Sequence, residues 1–522
     1  MTHAFRSPAS KNKIQRRAVK LVCHGEMSSF TAQNLRMTEP LSAPDESSKA
    51  TRPQLLLLAA IFAVAFLLRV GVALRSPSIE WPDEIFNTLE QGHRLAYGYG
   101  VVPWEWRYGI RTWIYPAFLA GVMRATAWMG PGSRGYLTGV VVVLSLLSLS
   151  CVWFAYAWAK KSRGIAAGLI AAGACATWYQ LVYFSPKAFS EVVATDFLLP
   201  GLYLGMYGDE LPEKKRDILA GVCLGIGVCL RIQFAPAVAF AFLYWCGKRW
   251  STVAPPLLAG LLVPVIVFGV VDAFTWSYPF QSYVRYFQLV MFTGRNSHYG
   301  VEPWNVFFIG LWRSMWPMLL LAAAAVRRNS LLVSVAAIIV ISHSLIAHKE
   351  YRFIYPVLPI LVTLAALGLV EIASFLRCRL SVSLSPRMAV AAGLIFCVAL
   401  SAWFASKMHW DKSSGGLITF DRLSRDPDVC GVGVYKLPWT LTGGYVHLHR
   451  DVPFLLVNRG TPLERQMLNF NALVSLGQMN DLPMGFTEEG CWNGVCLYRR
   501  PGPCLSSPPV YEVNRMLSVN DQ

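Results

Sequence analysis

Two clusters in this chain have the residue types and spacing for chemistry. The first opens with Trp81-Pro82-Asp83-Glu84 and runs through Trp104-Glu105-Trp106 to Arg111. The second is His348-Lys349-Glu350-Tyr351-Arg352-Phe353. Asp83 and Glu84 are adjacent, so on any regular element their side chains diverge and do not form one carboxylate dyad. One of them suits a general base that takes a proton from an acceptor hydroxyl; the other orients substrate or tunes its neighbour's pKa. In the second cluster His348, Lys349 and Arg352 offer charge-assisted donors for an anion, and a lipid-linked phosphate fits them. Arg231, alone between two short apolar pieces, is a further cation of this kind. Trp81, Trp104, Trp106 and Trp113 present flat faces for stacking a sugar, although tryptophans also gather at membrane interfaces for their own reasons. From the residues alone, a solvated loop after Pro82 and an ordinary salt-bridged turn at 348–352 stay open as alternatives.

These clusters are set in a very apolar chain. It has 522 residues, 54% hydrophobic and 15% charged, with a mean hydropathy of +0.41, too apolar for a water-soluble protein of this size. A span needs roughly 20 mainly apolar residues to cross about 30 Å of hydrocarbon. Such runs occur at 55–74, 139–159, 165–184, 257–273, 306–326, 331–347, 354–376 and 389–404, with weaker ones at 112–129, 188–206 and 218–246. The expected fold class is an all-α polytopic membrane protein of about 11–13 transmembrane helices, because lipid leaves an unpaired backbone amide no partner.

The net charge of +17 does not imply a nucleic-acid partner. The basic residues lie in short clusters between spans, such as Lys160-Lys161-Ser162-Arg163 and Lys214-Lys215-Arg216, the pattern of cytoplasmic loops. Residues 1–53 read as a disordered basic cytoplasmic tail, 54–406 as the transmembrane catalytic part with its first outer loop at 75–111, and 407–522 as a soluble α+β domain on the outer side. One conflict remains in this topology: 55–74, 112–129 and 139–159 make three crossings before Lys160, where the charge rule wants an even number. Either 112–129 is re-entrant or another short span is hidden.

In the C-terminal part, 432–435, 445–448 and 453–457 look like strands. Cys491-Trp492-Asn493-Gly494-Val495-Cys496 carries the Asn-Gly signal of a two-residue hairpin. That register sets Trp492 opposite Val495 and Cys491 opposite Cys496, close enough for a disulfide in an oxidising compartment; two reduced cysteines in a cytoplasmic loop are the competing reading. There is no phosphate-binding or dinucleotide-binding glycine loop and no metalloprotease-type histidine pair. His93 and His343 read as structural. An activated donor should therefore reach the site from the membrane, and no cofactor or metal is expected.

Taken together, Trp81-Pro82-Asp83-Glu84 with Thr88-Leu89-Glu90, Pro103-Trp104-Glu105-Trp106, Ile110-Arg111-Thr112-Trp113 and the downstream His348-Lys349-Glu350-x-Arg352-Phe353 resemble the signatures of the Alg9-like mannosyltransferases. The branch that adds the third mannose of GPI anchors is nearest in character. Trp81 departs from the usual His, and Ser185-Pro186-Lys187-Ala188 from an Arg-Thr-Leu-Pro-like segment. The resemblance implies a GT-C fold with the catalytic acid on the first lumenal or periplasmic loop. It implies transfer of mannose with inversion from polyprenyl (dolichyl) phosphate mannose to a lipid-linked glycan. On this expectation Asp83 and Glu84 are catalytic; Lys349, Arg352, His348 and Arg231 bind the donor phosphate; and Trp104, Glu105, Trp106 and Arg111 bind acceptor or sugar. The membrane is that of the endoplasmic reticulum in a eukaryote and the inner membrane in a bacterium. The rival readings are a lipid-linked sugar transporter or flippase, with Arg231 on a broken helix as its one hint, and a GT-C enzyme that glycosylates protein or lipid A.

Overall fold

The structure is a computed structural model that describes residues 50–247, 249–380, 385–457, 463–505 and 512–519. The tail expected at 1–53 falls, up to residue 49, outside the described residues. Among the described residues, six helices are long and apolar enough to cross a membrane: Arg52–Arg75, Arg134–Arg163, Trp250–Thr275, Val306–Arg328, Val357–Leu380 and Pro386–Ala405. The other expected runs form shorter or interrupted helices, among them Ile165–Thr177, Ser190–Tyr207 and Glu213–Leu230. The long helices are apolar on every face, and leucines such as Leu56 (64% exposed) and Leu67 (65%) point out of the bundle, as a lipid-facing surface requires. Inside, small residues let backbones touch. A Cβ on Gly221 would collide with the carbonyl of Leu257 and one on Gly260 with that of Ile218, so Glu213–Leu230 and Trp250–Thr275 pack main chain against main chain.

The crossing conflict turns on the segment 112–129. That segment forms a helix over Ile114–Thr126, 13 residues long, which spans only about 20 Å at 1.5 Å per residue. Its Tyr115, Leu119 and Met123 pack in one apolar cluster with Leu89 of the first loop and Leu417 and Phe420 of the C-terminal part. Among the described residues, two helices up to the Lys160–Arg163 cluster are long and apolar enough to cross, Arg52–Arg75 and Arg134–Arg163, the second ending in that cluster.

The C-terminal part is α+β. Five strands, β1 (Val432–Tyr435), β2 (Phe454–Val457), β3 (Ala472–Leu476), β4 (Thr487–Trp492) and β5 (Val495–Arg499), form one sheet in the order β2-β1-β3-β5-β4. β1 is parallel to both β2 and β3, whereas β5 runs antiparallel to β3 and β4. The hairpin register is the expected one, with Trp492 opposite Val495, Cys491 opposite Cys496, and Asn493 and Gly494 at φ 45° and 78°. Cys491 and Cys496 are disulfide-bonded with Cα atoms 4.0 Å apart. A second disulfide, Cys430–Cys504, closes 74 residues of chain, and no local spacing announces it.

The strand expected at 445–448 is instead the short helix Gly444–Leu448. The reason lies some 350 residues away in the chain. The fully buried Glu90 carboxylate accepts hydrogen bonds from the amides of Val101 (2.7 Å), Tyr445 (3.0 Å) and Val446 (2.8 Å). An acid at the first turn of a helix satisfies amides that have no partner within the helix. Burial raises the Glu90 carboxyl to about 7, and those three amides only partly offset it. A carboxyl with a raised folded-state pKa stabilises the fold while it is protonated and ceases to as pH rises through that value. Heating the wild-type protein in detergent at pH 6 and pH 8 should therefore show a loss on the alkaline side that Glu90→Gln lacks. Equal pH slopes for the two proteins would show that Glu90 does not carry the effect.

Candidate active site

Pro82 starts a helical segment. The amides of Ile85 and Phe86 donate to its carbonyl at 3.0 and 2.9 Å, and a wide turn over Glu84–Leu89 leads into Glu90–Tyr97. Successive side chains on this segment diverge, as helical geometry dictates. Asp83 turns one way and Glu84 the other. Glu84 pairs with the Lys187 ammonium at 3.2 Å, which also donates to the carbonyl and hydroxyl of Ser78 at 2.9 and 3.0 Å. Burial raises the Glu84 carboxyl, and Lys187 works against that rise. Glu84, expected beside Asp83 in catalysis, thus faces a separate cavity of about 410 Å³ and ties the first loop to the 185–187 segment. Glu84→Gln should leave turnover within about tenfold of wild type while lowering thermal stability, because it loosens a buried ion pair; a loss of turnover as large as that of Asp83→Asn would return Glu84 to the chemistry.

Asp83 opens into the larger cavity, about 520 Å³. Its carboxylate is 32% exposed there and pairs with the Arg352 guanidinium. Arg352 comes from the short turn Tyr351–Ile354 and is itself held on two more sides, by Glu191 (2.8 Å) and Glu350 (2.5 Å). Glu191, fully buried in the first turn of Ser190–Tyr207, also pairs with Arg231 at 2.8 Å. One carboxylate therefore positions both cations. Arg231 sits where Glu213–Leu230 ends in an extended residue (φ −144°, ψ 92°), which is the break its isolation in the sequence suggested. Burial raises the Asp83 carboxyl, but Arg352, Arg111 and Arg231 outweigh it and hold the group below the usual carboxylate range. It is ionised at neutral pH.

The remaining expected residues divide. Trp104, Glu105, Arg111 and His348 line the same cavity as Asp83, Arg231 and Arg352. Glu105 accepts a hydrogen bond from Asn87 at 2.9 Å; burial and then the Asp83 charge raise its carboxyl. His348 bonds Glu350 at 3.1 Å, and that contact raises its pKa. Trp104 stacks on Tyr299 with centroids 6.2 Å apart. Trp106 lines instead a small adjoining pocket of about 50 Å³ that also borders Asp83, Arg111 and Arg352; its indole N–H donates to the Asn87 carbonyl (3.2 Å), and its ring packs on Trp113 at 4.4 Å, with Trp276 behind both. Trp81 lies under Arg352, 5.8 Å from the guanidinium carbon, and outside the cavity lining. Lys349, expected at the donor phosphate, turns away and donates to the carbonyls of Glu302 (2.8 Å) and Ala347 (3.4 Å), where it pins two loops together. Glu191 and Glu350, which hold the two cations, are carboxylates that the motif resemblance did not single out. Glu350 lies inside the second cluster; Glu191 follows shortly after Ser185-Pro186-Lys187-Ala188.

The cavity thus offers an ionised carboxylate for a hydroxyl proton, two buried guanidinium groups for negative charge, and an aromatic wall. Among the described residues no group of three or more His, Cys, Asp or Glu could hold a metal ion. His93 bonds His449 at 3.1 Å at the junction with the C-terminal part.

A family model described as the Alg9-like mannosyltransferase family matches residues 60–415, which takes in both clusters. The chain is 27% identical over 423 residues to GPI mannosyltransferase 3 of Yarrowia lipolytica, covering 77% of this chain and 78% of that protein. To GPI mannosyltransferase 3 of Drosophila melanogaster it is 24% identical over 430 residues, 77% and 72% of the two chains. In fold it is similar to the crystal structure of ArnT from Cupriavidus metallidurans bound to undecaprenyl phosphate, with a TM-score of 0.58 at 12% identity over 86% of this chain and 98% of that one.

Proposed function

Because the chain belongs to the Alg9-like mannosyltransferase family, we propose that it moves mannose from a polyprenyl phosphate mannose to a hydroxyl of a lipid-linked glycan, with Asp83 as the base. It is a membrane glycosyltransferase with the GT-C fold. The observation that carries the mechanism is the ionised Asp83 carboxylate lining one cavity with Arg352 and Arg231, two guanidinium groups held on a shared Glu191. In a single displacement Asp83 accepts the acceptor's hydroxyl proton as that oxygen bonds the anomeric carbon from the face opposite the leaving group. The bond from that carbon to the phosphate oxygen breaks, and its electrons leave on a phosphate that Arg352 and Arg231 stabilise. The stereochemical outcome is inversion.

Dolichyl phosphate mannose is the donor expected in a eukaryote. A GPI-type glycolipid is the acceptor we favour, because the relatives named above are GPI mannosyltransferases. The basic loops lie at the ends of spans away from the Asp83 loop in sequence, which favours a catalytic cavity on the lumenal or periplasmic side. Purified protein incubated with polyprenyl phosphate mannose and a panel of mannosylated GPI-type and oligosaccharide-type lipids should add one hexose to the GPI-type acceptors, read by mass spectrometry. Transfer only to the oligosaccharide lipids would overturn the acceptor assignment, and no transfer to either would overturn the reaction.

A further inference from the structure

We propose that a recess on the far side of Trp81 and Tyr351 from Asp83 is a second lipid site, which takes the phosphate-bearing head of a membrane lipid. The recess measures about 470 Å³, and its walls include Arg313, Lys407, Gln180, Ser314, Tyr351 and Trp403. It shares no lining residue with the catalytic cavity.

Its two cations are what call for an anion. Arg313 lies in the second turn of the Val306–Ala325 helix and Lys407 just past the end of Pro386–Ala405, both exposed. Among the described residues neither side chain has a carboxylate or hydrogen-bond partner. Lys407 instead holds its ammonium 3.5 Å over the Trp403 ring. Glu80 also reaches the recess, but its carboxylate is taken by Lys412 (2.9 Å) and the Tyr183 hydroxyl (3.1 Å). The uncharged polar groups already satisfy one another. Gln180 donates to the Tyr351 hydroxyl at 3.0 Å, and that hydroxyl bonds Ser314 at 2.8 Å. What the recess lacks is an acceptor-rich anion, and a phosphate meets Arg and Lys donors with charge-assisted bonds.

Backbone geometry and the aromatic walls fit the same ligand. The helix breaks at Met315 (φ −157°, ψ 30°), two residues before Pro317. Pro317 has no amide hydrogen for the carbonyl of Arg313. A broken helix at membrane depth is tolerated where it is packed in protein or lines a cavity. Trp316 and Trp403, 40% and 45% exposed, suit the level of lipid head groups. Snorkelling toward the interface does not explain why both cations open into one recess with a satisfied polar floor.

An isoprenyl phosphate and a glycerolipid such as phosphatidylinositol share this head-group chemistry, and one experiment separates them. Full-length protein in detergent is mixed with polyprenyl phosphate, phosphatidylinositol or uncharged diacylglycerol, and retained lipid is counted by native mass spectrometry. Arg313→Gln with Lys407→Gln should retain at least tenfold less of the second bound equivalent of one or both phosphate lipids, beyond what the Arg352 and Arg231 cavity holds, and which one falls identifies the source; diacylglycerol retention should not change. Arg313→Lys with Lys407→Arg, which keeps both charges, should retain them as wild type does. In wild-type protein a photoactivatable phosphate lipid should label the peptide containing Trp403 and Lys407. Equal retention of both phosphate lipids by the Gln pair and wild type, or no label on that peptide, overturns the proposal.

Discussion

Asp83→Asn should lower mannosyl transfer by about a hundredfold or more, within the 10²–10⁴ range of general-base contributions, and leave the protein folded. The substitution is nearly isosteric and removes only the ability to take the proton. It also keeps an oxygen that can accept from Arg352, so the guanidinium retains contacts to Glu191 and Glu350. The resting carboxylate is held below its usual range by Arg352, Arg111 and Arg231. Activity in the wild type should consequently persist well into the acid range before protonation of Asp83 removes it. The check is a kcat comparison on a fixed donor and acceptor, alongside thermal unfolding of both proteins. Near-wild-type turnover in a folded Asp83→Asn protein would remove Asp83 from the mechanism.

Arg352→Ala is the second large effect, and it acts on two readouts. Removing a guanidinium from a phosphate loses a charge-assisted contact worth roughly 1.5–3 kcal/mol, so donor use should weaken by about tenfold or more. The same change removes the cation shared by Glu191 and Glu350 and leaves Glu191 with Arg231 and Glu350 with His348. Breaking a buried pair from one side costs roughly 3–5 kcal/mol, and the melting temperature should fall with it. Arg352→Lys restores a charge but not the fork that reaches three carboxylates, and should recover only part of either loss. Arg352→Ala with unchanged donor affinity would make the cluster purely structural. Lys349→Ala is the internal contrast: its ammonium holds backbone carbonyls, so donor affinity should change far less.

What the sequence makes legible is whatever local pattern determines. The long spans follow from apolar runs, and the hairpin at Cys491–Cys496 from the Asn-Gly pair, whose register decides which side chains face each other. The divergence of Asp83 from Glu84 follows from adjacency alone. Which of the two enters the cavity does not, because that depends on Lys187 and Arg352 arriving from distant segments. Glu191 is illegible for the same reason. An acid in the first turn of a helix is unremarkable until two arginines from elsewhere converge on it. The segment 445–448 alternates like a strand and becomes a helix because Glu90 supplies acceptors for its first amides. Lys349 and Arg352 sit in one motif with equal charge, and only the positions of the Glu302 and Ala347 carbonyls turn one of them away.

Glu90 has a consequence for the order in which the enzyme is made. The loop bearing Asp83 leaves the ribosome long before its partners Tyr445 and Val446, 355 and 356 residues further on. Through most of synthesis, three hydrogen bonds' worth of acceptor on Glu90 has only the Val101 amide to serve. The nascent first loop is thus left unlatched until the last fifth of the chain has emerged and its sheet has closed. A chain released before residue 445 would carry both signature clusters and yet lack the clasp that sets the Asp83 loop. Premature termination in this region should therefore behave as a loss of activity, with the bundle inserted, rather than as the loss of a dispensable tail.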